Sequence, residues 1–153
     1  MLCILFIGCS SDDDNASASD PVNQLPEATQ TGENTFGALV NDDPITPKGG
    51  GISPNLVAFY QFLDGEYFFN VGILNSNNNT TKALKVYANE NSIEENEVYI
   101  LNKNDNSIGF GGAFSVRDGN ESESFHFTDN EFTGELTITH LDEQNRIVSG
   151  TFW

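Results

Sequence analysis

Of the side chains able to do covalent or metal chemistry, this sequence offers two thiols, Cys3 and Cys9, and two imidazoles, His126 and His140. Both thiols fall within the first nine residues, so the body of the chain holds neither a disulfide nor a thiolate. Cysteine catalysis and thiolate zinc sites are thereby removed from it. The imidazoles lie in separate stretches and nothing nominates a third ligand, so a shared metal site has no support from spacing. Phe125 and Phe127 alternate with His126, which puts His126 on the wet face of a strand; His140 shares parity with Leu136 and Ile138 and should approach the core.

Hydroxyl and carboxylate chemistry is no better marked. The pentapeptide G-x-S-x-G is absent, and Ser149-Gly150 lies inside a predicted strand, its hydroxyl read as facing solvent or a neighbouring backbone. Acidic residues are so many that spacing cannot show which two would face each other across a cleft, and glycan hydrolysis by a carboxylate pair stands as the alternative function. Asn102-Lys103-Asn104-Asp105-Asn106 and Asp118-Gly119-Asn120-Glu121 carry oxygen ligands suited to calcium, the one cofactor left open. The first contains a repelling lysine and lacks the EF-hand order, and Asn and Asp also build turns, which is the stronger reading. Lys48-Gly49-Gly50-Gly51 lacks the order of a phosphate loop and reads as a flexible connection. Phe59, Phe68, Tyr99, Phe110 and Trp153 could stack against a sugar or peptide if exposed, although aromatic rings in β proteins mostly fill cores.

Composition narrows the partners. Twenty-three acidic against six basic residues give a net charge of -17, and Lys48, Lys82, Lys85, Lys103, Arg117 and Arg146 lie too far apart for a basic stripe. Nucleic acid, which demands clustered cations, is excluded as an expectation. The same charge opposes docking on anionic lipid, so any membrane attachment must be covalent. Fourteen Gly, twelve Phe and four Tyr among many Asn and Asp residues are the makings of strands and turns.

The opening run from Met1 to Gly8 is apolar but far shorter than the roughly 20 residues of a membrane-spanning helix, and it reads as the hydrophobic part of a signal peptide. Phe6-Ile7-Gly8-Cys9 resembles the lipobox of bacterial lipoproteins, in which the chain is cut before Cys9 and Cys9 carries the lipid. Phe6 replaces the usual Leu and no cation precedes the run, as if the true start lay upstream. Residues 9–24 are polar, small and like-charged, which predicts a disordered tether. Within it Ser10-Ser11-Asp12-Asp13-Asp14 resembles the acidic export signal that sends Bacteroidota lipoproteins to the outer face of the outer membrane. A periplasm-facing anchor is the alternative, since any solvated linker can be acidic.

Residues 25–153 have the size of one domain. Its clearest feature is the pair of apolar runs Leu56 to Leu63 and Tyr67 to Leu74, joined through Asp64-Gly65, a strong signal for a type I′ hairpin. In that register Phe62 faces Tyr67, Tyr60 faces Phe69, Ala58 faces Val71 and Leu56 faces Ile73, an apolar face that should form the centre of the core. The other face pairs Leu63 with Glu66, Gln61 with Phe68, Phe59 with Asn70 and Val57 with Gly72, a mixed set suited to a half-covered surface. Further strands are predicted at Ala83 to Ala88, Glu97 to Leu101, Ile108 to Val116, Ser124 to Thr128, Phe132 to Leu141 and Arg146 to Phe152. Turn-forming mixtures separate them at Asn75 to Thr81, Asn102 to Ser107, Asp118 to Glu121 and Asp142 to Asn145. Ser92-Ile93-Glu94-Glu95 could cap one helical turn. The expected fold is all-β, an antiparallel sandwich or barrel of about eight strands with little helix.

The phrase from Leu25 to Asn41, LPEATQTGENTFGALVN, together with Ser149-Gly150-Thr151-Phe152 near the end, resembles a family of uncharacterised Bacteroidota lipoproteins. The resemblance brackets nearly the whole domain, carries no assigned activity, and implies cysteines where Ala38 and Ala58 stand here. It also implies further sequence beyond the closing phrase, and a missing terminal strand would leave an open edge. The reading that follows is a lipid-anchored envelope lipoprotein, attached through Cys9 at the cell surface, whose domain is a non-enzymatic binding or structural unit. A glycan, a peptide or a neighbouring envelope protein is its expected ligand.

Overall fold

The computed structural model describes residues 20–49, 52, 54–105 and 107–153. Asp64 and Gly65 take φ values of 53° and 96°, the left-handed pair that a two-residue turn requires. They fold β3 (Leu56–Leu63) onto β4 (Glu66–Asn77), and every expected pair from Leu56 with Ile73 to Leu63 with Glu66 is formed. β4 continues past Leu74, because Asn75 to Asn77 pair with β5 (Thr80–Asn89) instead of turning. β7 (Gly109–Asp118) and β8 (Ser124–Phe127) complete a five-stranded antiparallel sheet in the order β3-β4-β5-β7-β8.

A second layer lies against it. β6 (Val98–Leu101), β9 (Gly134–Asp142) and β10 (Ile147–Phe152) form a sheet in the order β10-β9-β6, and β1 (Ala38–Val40) pairs with β2 (Asp43–Ile45) in a small ribbon. The described residues thus hold ten strands in an open sandwich, two more than expected and not a closed barrel. One turn of 3-10 helix, Pro21–Gln24, is their only helix, at the end of the stretch read as tether. No helix among them is long and apolar enough to cross a membrane.

The core fills the space between the layers. Phe69, Val86 and Ala88 of the large sheet meet Leu101, Leu136 and Ile138 of the small one, with Ile93 inserted between them. Phe36, Ala38 and Ile45 bring the ribbon down onto Ile73 in a second cluster. Ser92 to Glu95 form no helical turn. Burying Ile93 takes precedence, and the Tyr60 and Tyr99 hydroxyls accept the N–H groups of Ile93 and Glu94 at 3.3 and 2.7 Å.

Four expectations about facing are corrected. The β3–β4 hairpin is not the core's centre, because β3 is an edge strand and β4, β5 and β7 hold the interior. Ala58 keeps the core-side parity yet stays exposed on that edge, while Ala38 is buried under the ribbon. On β8 the facing is inverted: His126 pairs with core-side Phe114, although it stays exposed on that edge as expected, and Phe125 and Phe127 point away from the core. His140 does not approach the core either. Ile138 pairs with Gly150 but His140 with Ser149, so Thr139 is an extra residue, a β-bulge that reverses parity and turns His140 outward. Gln30 donates to the carbonyl of Thr139 at 2.9 Å, and Gly150 leaves room where a Cβ would lie 2.4 Å from the Thr137 oxygen.

Candidate functional site

The outward face of the large sheet is not a conventional wet face. Reading the register across it gives Val57, Gly72, Lys85, Ala113 and Phe127 in one row, with Leu74, Ala83, Ser115 and Phe125 beside it. Val57, Phe125 and Phe127 stand on the edge strands, while the inner strands carry Gly72, Ala83, Ala113 and Ser115 beside Leu74, and the long side chain of Lys85 is drawn aside to Asp105 and the Tyr87 ring. The surface must therefore sink between those edges, and a trough of about 350 Å³ lies there, within the range of small-ligand sites. Gly72 contributes through close approach: a Cβ would sit 3.0 Å from the Lys85 Cβ.

Polar groups bound the trough at either side. The segment from Asn102 to Asp105 leaves the small sheet and passes the edge of β7, where Lys103 bridges to Gly111 and the Tyr87 hydroxyl donates to the Lys103 carbonyl at 2.8 Å. Tyr87 is buried beneath it, and its pKa is pushed up to about 12, first by that burial and then by the Asp105 carboxylate. Lys85 Nζ lies 2.6 Å from Asp105 Oδ1 and 5.3 Å from the centre of the Tyr87 ring. Across the trough, Ser115 donates to Glu123 Oε1 at 2.6 Å. Asn55 and Asn70 add amides to the lining. The rings of Phe125 and Phe127 are parallel within 2°, their centres 6.2 Å apart.

Such a surface can bind. It is poorly equipped for acid–base catalysis, since Asp105 is held by a cation, Glu123 is held by a hydroxyl, and both are open to water. A general acid needs a carboxyl that burial keeps protonated. A larger opening of about 580 Å³ lies between the layers beside β8, lined by Val40, Leu101, Phe114, His126, Phe132 and Phe152 among others. Fewer polar side chains line it, and the Thr128 hydroxyl there already serves Gly112 N–H and the Lys103 carbonyl.

Cys9 and Ser10 to Asp14 lie outside the described residues, as do Gly50, Gly51 and Asn106. His126 and His140 sit on different sheets, and no cluster of three His, Cys, Asp or Glu among the described residues could hold a metal. The oxygen-rich loops spend their ligands on structure: Asp118 accepts from the Thr80 hydroxyl at 2.5 Å, Asn104 contacts the Ser107 hydroxyl, and Asp105 pairs with Lys85. Of the five aromatic residues considered for stacking, Phe59 and Trp153 stand exposed but neither lines the trough, and Trp153 borders the opening beside β8; Tyr99 and Phe110 stack on each other at 4.2 Å against the core.

One arrangement escaped the sequence reading. The bulge sets Ser149 directly opposite His140, whose Nδ1 lies 2.9 Å from Glu95 Oε2. The Leu141 N–H donates to the same oxygen at 2.8 Å and, more than the imidazole, holds the Glu95 carboxyl below its ordinary range. The order of groups suggests nucleophilic catalysis, but no hydrogen bond joins Ser149 to the ring among the described residues, and neither cavity includes them. It is a surface cluster on the outer side of the small sheet. No bulge signal exists in the sequence that could have announced it.

Fold and trough together define an open β-sandwich with a ligand-sized depression on its larger sheet. No protein-family model, curated protein or solved structure matches the chain.

Proposed function

We propose that this chain is a lipid-anchored envelope lipoprotein of the Bacteroidota type, and that its sandwich is a non-enzymatic domain binding a neutral oligosaccharide in the outer trough. The observation that carries the binding reading is the row from Val57 to Phe127, apolar at both ends, with Gly72 and Ala113 lying low inside it and the Lys85 side chain drawn aside to Asp105. Parallel Phe125 and Phe127 rings offer faces to sugar C–H groups. The amides, the Lys85–Asp105 pair and Glu123 suit hydroxyl groups. The net charge of -17 turns away polyanions. Support for the anchor comes from the lipobox-like Phe6-Ile7-Gly8-Cys9, the acidic run behind it and the family-like opening phrase.

Two measurements test this reading. Palmitate labelling with and without globomycin, followed by protease shaving of intact cells, should give label that Cys9→Ala abolishes and a domain that shaving removes. Label that survives Cys9→Ala sinks the anchor, and labelled protein resistant to shaving places it on the periplasmic side. Titration calorimetry against neutral envelope oligosaccharides should give binding that Phe125→Ala and Phe127→Ala each weaken at least tenfold. Two carboxylates beside one trough also favour a second reading, hydrolysis; release of reducing ends, lost in Glu123→Gln, would establish it over simple binding.

A further inference from the structure

The two outer strands of the large sheet treat their free edges differently. β8 is four residues long and flanked by Glu121, Glu123 and Asp129, the charged protection that edge strands ordinarily carry. β3 is twice that length, and no charged residue occurs between Lys48 and Asp64. Phe62 is 62% exposed, Leu63 52%, Val57 44% and Phe59 41%. Leu74 donates to the Asn55 carbonyl, so Leu56 and Ile73 form a wide, non-hydrogen-bonded pair and the pattern alternates from there. The N–H and C=O groups of Leu56, Ala58, Tyr60 and Phe62 consequently point away from β4. No other described residue pairs with them.

We infer that β3 is the contact by which two copies of this chain form a two-fold dimer, their large sheets joined edge to edge and antiparallel. A second copy is the fitting occupant for three reasons. Chains of charge -17 repel, so a symmetric contact must lie on neutral surface, and this edge is neutral over its whole length. The other edges are less suited: Glu94, Glu95 and Glu97 precede β6, and β10, though uncharged, is six residues long and bent by the register shift at Ser149 and Gly150. Last, the strand complements itself. With Phe59 on the two-fold axis, Ala58 meets Tyr60, Leu56 meets Phe62 and Val57 meets Gln61, each large side chain facing a smaller or flexible one. That register uses all four outward-pointing residues of both copies and forms about eight backbone hydrogen bonds. Moving the axis to Tyr60 would set Leu56 against the turn residue Asp64 and lose a pair. The two troughs then lie on one continuous face, either side of the paired Phe59 rings.

The test is sedimentation of the full chain carrying Cys3→Ser and Cys9→Ser. A dimer is expected. Ala58→Pro should make it monomeric with unchanged circular dichroism, because that N–H points outward and an edge strand tolerates proline there. Phe62→Lys, at an exposed position, should act likewise should the proline variant misfold. Under mild oxidation Phe59→Cys should form a covalent dimer, since facing residues of a wide pair lie within disulfide reach, whereas Gln61→Cys should not. A monomer at every concentration, a dimer indifferent to Ala58→Pro and Phe62→Lys, or cross-linking through Gln61→Cys as readily as Phe59→Cys overturns the inference. A monomeric chain that binds an added apolar peptide along β3 also overturns it and gives that edge to a different partner.

Discussion

The inner and outer faces of the five-stranded sheet are made by the same strands and carry similarly apolar side chains, yet one is closed and the other open. Ile73 and Leu74 are neighbours in β4; the first is 4% exposed and the second 37%. What separates them is the second layer, which covers Phe69, Ile73, Val86 and Ala88 and leaves Val57, Leu74, Phe125 and Phe127 bare. Hydrophobicity decides that a face can be buried; the chain's path between sheets decides which face is. An open apolar face that persists beside so many carboxylates is better explained by something it binds than by packing.

The sharpest way to break that comparison is to truncate the two neighbours. Ile73→Ala should cost about 2–5 kcal/mol, as buried aliphatic truncations do, whereas Leu74→Ala should cost less than about 1 kcal/mol. Denaturant unfolding measures both, and equal losses would mean that the outer face is packed as tightly as the inner. Tyr87 comes next, because it is an outer-face side chain buried by the segment carrying Lys103. Tyr87→Phe should cost about 1 kcal/mol for the lost hydrogen bond. Burial favours the neutral phenol, so the folded chain holds this proton more tightly than the unfolded chain, whose phenol titrates near 10. The resulting stability is complete below pH 10 and is lost as pH rises toward about 12. Melting temperatures across that window should fall less steeply for Tyr87→Phe than for the unaltered chain.

Legibility followed the range of the interaction. Asp64-Gly65 dictates its turn locally, and the whole β3–β4 register came with it. The ribbon hairpin did not show, because Asn41 and Asp42 take φ of 52° and 62° without the glycine that marks such turns. The facing of β8 was misread for a longer-range reason: alternation shows that Phe125 and Phe127 share a side, but only the pairing with β7 shows that this side is the outer one. Likewise Gly72 was visible as Val57's partner, while Ala83, Lys85 and Ala113 join the row only through the strand order. The trough is a property of five strands in sequence, and no single segment contains it.

A smaller effect is expected on the other sheet. His140 and Glu95 meet on its solvent side, where Glu95 is held below its ordinary pKa mainly by the Leu141 N–H. A depressed carboxyl stabilises the fold above its ordinary value of 4.5 and ceases to do so as pH falls through its lower folded value. The stability gap between the unaltered chain and Glu95→Gln should therefore narrow on acidification, as thermal melts between pH 7 and pH 3 would register. A gap constant across that range would mean the contact matters for the bulge's shape and not for charge.

The least change in stability is expected where the change in function should be greatest. Phe125 stands on an edge strand and is 58% exposed, so Phe125→Ala removes little buried surface and should shift unfolding by no more than about 0.5 kcal/mol. Ala83→Leu fills the floor of the trough from a half-buried position and should be similarly tolerated. Both should weaken oligosaccharide binding at least tenfold, one by removing a stacking face and the other by occupying the space. If both variants bind like the unaltered chain, the open face is not the site. Its exposure would then need a partner that covers β3 and β8 without entering the trough, and the edge pairing of two copies would be the remaining reason for its apolar rim.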